Sequence, residues 1–205
     1  MSIAEKLTAI AENVPKVYEA GQKSEQDRFW DSYQNKGGAV NGTYMFSGYA
    51  WNDEIFNPKY PIILSKGGTG LFSFTKLTDI KVMVDATATS DVTHLFNWGQ
   101  SIKIIPLFRV SVNNIYTNWF NYCISLEEIQ FEGTIGKSLD IHWSTKLSAE
   151  SYENIFKCMT VTVSGQTLTV PKSTAEATYN AKYGSGKWAS RVNGIKALGW
   201  AVSYL

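Results

Sequence analysis

Apolar positions in the first segment follow a 3–4 spacing: Ile3, Leu7, Ile10, Val14 and Val17. That spacing predicts a helix from residue 2 to about 35, with the seam of a short coiled coil. Pro15 lacks an N–H, so a kink or break is expected there. The seam then stops, because its next positions would fall on Gly21, Ser24, Arg28 and Asp31. A seam this short needs a partner. The partner is a second copy of the chain, another protein, or the body of the same domain. Residues 1–36 are therefore expected to form a helical assembly or docking segment, with those five apolar residues as the oligomerisation positions. "NKGGAVNG", residues 35–42, reads as a linker or sharp turn.

From residue 37 the helical period gives way to aromatics, β-branched residues and Gly/Asn turns. Here a line repeats. Phe120, Leu126, Ile129 and Phe131 lie 24 residues after Phe96, Ile102, Ile105 and Leu107. Leu71, Leu77, Ile80 and Val82 lie 25 residues before that second set. Such a period falls within the range of leucine-rich repeats, whose units bury their apolar face only by stacking on neighbours. The expectation is an α+β fold. It comprises a leucine-rich-repeat-like β-solenoid of about four units over 37–205, the N-terminal helix, and a mixed α/β C-terminal cap from about 144 to 205.

The aromatic run "YMFSGYAWNDEIFNPKYPIIL" is expected to form a degenerate first unit and N-terminal cap. Downstream, "SLDIHW" suggests a strand, and "SAESYENIFKCM" a helix with Ser148 as N-cap. "GQTLTVP" suggests a strand, "STAEATYNAKYG" and "GKWASRVNGIKALG" helical stretches, and "WAVSYL" a last strand. Strand, helical crossover and strand imply a parallel pair that extends the sheet.

Alternation along the repeated strands predicts an outer stripe. If Ile80/Val82, Ile105/Leu107 and Ile129/Phe131 point inward, then Lys81, Met83, Pro106, Phe108, Gln130 and Glu132 point outward together. Met83 and Phe108 would give that stripe an apolar centre suited to a partner.

Composition narrows the classes. Hydrophobic residues make up 44% and aromatics 14%, enough for a packed core. Net charge is +1, so nothing electrostatic favours nucleic acid or an anionic membrane. No run approaches the about 20 apolar residues that span a bilayer. The first residues mix Glu5, Lys6 and Glu12 into their apolar positions, unlike a secretory signal. Synthesis in the cytoplasm is expected, with any export by lysis or within a virion. Cys123 and Cys158 have no metal-like spacing and read as buried thiols.

The sequence offers no converging catalytic groups. His94 and His142 read as packed or surface histidines, and no Gly-x-Ser-x-Gly elbow appears. "GSGKWAS" lacks both the earlier Gly and the Ser or Thr after Lys187 that a phosphate loop needs, so a turn opening a helix is expected. Neither catalytic residues nor a cofactor nor a metal is expected. The tryptophans suggest carbohydrate stacking, but Trp98 and Trp119 sit where core packing is the better expectation.

The unit "WFNYCISLEEIQF" resembles the repeat of BspA-like leucine-rich repeat proteins: an aromatic pair, a Cys or Asn, then Ser-Leu-x-x-Ile-x-hydrophobe. Phe120, Cys123, Leu126, Ile129 and Phe131 match it. Phe96, Ile102, Ile105 and Leu107 match it less closely, with Gly99 in the cysteine column. "IAEKLTAIAENVPKVYEAG", "WNDEIFNPKY" and "FEGTIG…WSTKLS" are similar to relatives in gut bacteria and their prophages. The resemblance implies a non-enzymatic binding surface, and members with known roles are mostly cell-surface adhesins. Because no secretory signal is read here, the expected setting is instead a phage or prophage virion, with a bacterial surface component as target. The alternative is a bacterial adhesin or interaction protein outside a virion. A hydrolase of surface glycans comes third.

Overall fold

The computed structural model describes residues 12–13, 40–58 and 60–205. Ile3, Leu7, Ile10, Val14 and Val17 lie outside the described residues. The chain divides after Gly38, and the unit from Ala39 to Leu205 carries the elements below.

Five short strands form one parallel sheet in chain order: β1 (Val40–Asn41), β2 (Ile62–Lys66), β3 (Val84–Asp85), β4 (Ile104–Val110) and β5 (Glu128–Gly133). A second parallel sheet contains β6 (Leu139–Asp140), β7 (Gln166–Val170) and β8 (Trp200–Tyr204). Three helices follow β6 in this unit: α1 (Ala149–Cys158), α2 (Ala175–Tyr183) and α3 (Lys187–Ala197). This is an α/β fold. It corrects the expected α+β, leucine-rich-repeat-like β-solenoid with a mixed cap. All the strand pairs described are parallel, and the supposed cap is a sheet of its own, with α2 and α3 as the crossover between β7 and β8.

The strands pair because apolar side chains recur on one face. Ile62, Leu64, Val84, Ile105, Phe108, Ile129 and Phe131 are all buried. Behind them Phe46, Phe72, Phe96 and Phe120 stack in a row, with ring centroids 5.6 Å apart at each step. Each buried phenylalanine stabilises by about 1.5–3 kcal/mol relative to exposure.

The register contains one irregularity that decides what faces outward. Ile105 pairs with Ile129, but Phe108 pairs with Phe131. Three steps along β4 thus match two along β5, a bulge at Pro106–Leu107. Pro106 has no N–H to give to a ladder, which suits that position.

Helix α1 closes the free edge of β5. Ser148 is its N-cap, accepting from the Ser151 N–H. Ser151 Oγ accepts from the Ile129 N–H at 3.0 Å. The Asn154 amide accepts from the Phe131 N–H at 2.6 Å and donates to the Phe131 carbonyl at 3.0 Å. Asn154 therefore offers Phe131 the same donor and acceptor that a sixth strand would.

Between successive strands, tight turns are stacked in register. Tyr44, Phe46 and Gly48 donate their N–H groups to the carbonyls of Thr69, Leu71 and Ser73. Gly70, Phe72 and Phe74 donate likewise to Thr93, Leu95 and Asn97, and His94, Phe96 and Trp98 to Thr117, Trp119 and Asn121. Each turn holds two left-handed residues four apart: Tyr44/Gly48, Gly70/Phe74, His94/Trp98 and Asn118/Tyr122.

Candidate interaction surface

The outer face of the sheet differs from the expected stripe. Phe108 is 0% exposed, packed on Trp119 with centroids 5.0 Å apart. The bulge turns it inward and puts Arg109 in its place. Ile63, Asp85, Arg109 and Glu132 then stand in register across four strands. Arg109 Nε meets Glu132 Oε1 at 3.0 Å, and Nη1 lies 3.9 Å from Asp85 Oδ2. The stripe is charged where an apolar centre was expected.

The remaining stripe residues divide. Lys81 sits on a left-handed turn, and its Nζ donates to the carbonyls of Asp53 and Phe56 at 2.7 and 3.1 Å. It pins the 53–56 segment. Met83 is half-buried, and its carbonyl receives the Ile62 N–H. Gln130 and Glu132 are exposed as expected. Pro106 and Gln130 line a cleft of about 460 Å³ with Glu128, Glu150, Ser148 and Asn154. Lys182 forms an ion pair with Glu150.

A second surface was missed by sequence reasoning. Tyr49, Phe74, Trp98, Tyr122 and Trp143 form a ladder of rings along the turns. Centroid steps are 6.3, 6.1, 4.0 and 4.2 Å, and the last three contacts are stacked within 11–24° of parallel. Tyr49 is 61% exposed and Phe74 37%, while Trp98, Tyr122 and Trp143 are half-buried. Trp119 lies in the core as expected, but Trp98 does not. The available signal was Phe74, Trp98 and Tyr122 recurring every 24 residues, with the turn glycines Gly48 and Gly70 announcing left-handed backbone nearby. Polar pairs run beside the rings: Asn121 donates to Asn97 at 3.1 Å, and the Ser47 and Ser73 hydroxyls meet at 3.0 Å.

Both histidines have polar partners. His94 Nε2 meets Asn118 Nδ2 at 3.0 Å. His142 Nδ1 meets Asp140 Oδ1 at 2.6 Å, and its ring leans on Trp143. Cys123 is buried, as expected, and burial pushes its thiol up to about 12, away from reactive thiolate. Cys158 is also buried, and its thiol is raised for the same reason. "GSGKW" is a turn with left-handed Gly184 and Gly186 that opens α3, as expected. Among the described residues no helix is long and apolar enough to cross a membrane.

No family model, curated protein or solved structure matches this chain.

Proposed function

We propose that the chain is a non-enzymatic recognition module, with the aromatic ladder as its binding ridge and a protein on a bacterial surface as its target. The observation that carries this reading is the presence of Phe74, Trp98 and Tyr122 on left-handed backbone at the surface. A side chain in that conformation costs about 1–2 kcal/mol, which the glycines at Gly48 and Gly70 avoid. Ring stacking returns about 0.5–1.5 kcal/mol per pair. Large aromatics half-exposed in a row are also the residues that dominate protein contacts.

The geometry favours a protein over a sugar. Trp98, Tyr122 and Trp143 cover one another's faces at 4.0–4.2 Å, leaving edges for a partner. A sugar ring needs a free face. The bacterial target follows the resemblance, the virion setting follows the first residues' unlikeness to a secretory signal, and an adhesin outside a virion is the alternative setting.

The test is binding of the labelled full chain to gut bacterial cells by flow cytometry. Trp98→Ala and Tyr122→Ala should each weaken binding about tenfold or more. Protease treatment of the cells should abolish it, and periodate oxidation of their glycans should not. Undiminished binding by correctly folded ladder variants, or loss on periodate alone, would sink the reading.

A further inference from the structure

A cleft of about 540 Å³ lies among α1, α2 and α3, and none of the ladder rings lines it. Phe156, Met159 and Leu198 give it apolar lining, and Lys187 and Arg191 add two cations against the carboxylate of Glu153. Its volume is that of a small-molecule site, apolar with a few polar groups.

The Glu153 carboxylate is already satisfied. It accepts from the Tyr179 hydroxyl at 2.6 Å and from Arg191 Nε at 2.9 Å, and also pairs with Arg191 Nη2 and with Lys157. Arg191 uses Nε and Nη2 in these bonds, so Nη1 remains as a donor. Positive charge at this cleft thus exceeds what Glu153 neutralises.

Gly194 is the independent clue. It lies inside α3 and lines the cleft, and a Cβ built there would meet nothing within 4 Å. A glycine inside a helix weakens it relative to alanine, and no neighbouring side chain or backbone requires this one. Its absent side chain leaves open space along that wall of the cleft, with the α3 backbone accessible there.

We infer that this cleft binds a small apolar carboxylate. The apolar body lies on Phe156, Met159 and Leu198 beside Gly194, and the carboxylate meets Arg191 and Lys187. Charge-assisted contact to a guanidinium suits a carboxylate, and the lining suits an alkyl or aryl tail.

The probe is decanoate, titrated calorimetrically into the full chain, with decanol as the uncharged comparator. Saturable binding at one site per chain is expected. Gly194→Leu, which fills the wall, should weaken it at least about tenfold, and Lys187→Glu about tenfold. Decanol should bind more weakly than decanoate. No saturable binding by the wild type, equal affinity for decanol, or full affinity in a folded Gly194→Leu variant would each overturn the inference. Melting curves of both variants establish that they are folded.

Discussion

Phe108 pairs with Phe131 across β4 and β5, although Ile105, three residues earlier, pairs with Ile129 only two residues before that partner. The single extra residue on β4 sends the Phe108 ring into contact with Phe96, Trp119 and Phe131.

Phe108→Asp is therefore expected to unfold the chain, since it buries a carboxylate in that cluster. Phe108→Ala should cost about 3–5 kcal/mol in urea denaturation. Arg109→Ala, on the opposite face, should cost under about 1 kcal/mol because its ion pairs are partly exposed.

Glycines at two helix or strand positions should respond oppositely to alanine. Gly133 has φ +110°, and a Cβ there would collide with the Val110 carbonyl, so Gly133→Ala should destabilise. Gly194→Ala should stabilise by about 0.5–1 kcal/mol. Thermal melts of the two variants, run side by side, check the contrast.

Glu153 sets an acid limit. Burial pushes its carboxyl up, but the Tyr179 hydroxyl, Arg191 and Lys157 together bring it below its ordinary value of 4.5. A carboxyl lowered on folding contributes stability that is complete above the ordinary value and lost as pH falls through the lowered one. Glu153→Gln should reduce stability near neutral pH and flatten its decline below about pH 4.5. A pH series of urea midpoints reads both effects; an unchanged acid slope would count against this role.

Asn154 should protect one particular amide. Asn154→Ala removes the acceptor of the Phe131 N–H and the amide donor to its carbonyl, which keeps the Cys158 thiol, so the unpaired N–H should cost about 1–3 kcal/mol. Hydrogen exchange at Phe131 should accelerate far more than exchange at Leu168 in the second sheet. Equal acceleration at both would mean global destabilisation instead.

Much of this architecture is legible in the chain, and the failures have local causes. Phe96 and Phe120 do stack, because a 24-residue apolar column leaves little freedom. One unit earlier the stacking ring is Phe72, 24 residues before Phe96, whereas the expected alignment used Leu71. The stretch from Phe72 to Leu77 is one residue shorter than that from Phe96 to Ile102, so aligning the later positions shifts the earlier ones. Ser148, α1, β7 and β8 fall where capping and alternation place them. Strand alternation misplaces Phe108 because it assumes an unbroken pleat, and Pro106 was the local sign of a break. The ladder is not legible within one unit, because the nearest ring contact of Trp98, Tyr122, lies 24 residues away.

With Ser151 and Asn154 seated on β5, another extended chain finds no vacant bonding row there. Runaway growth of this sheet into a fibre would first have to peel α1 away. The helix thus acts as a terminator, fixing the length of the stack from within the same chain and keeping that end inert in a crowded solution.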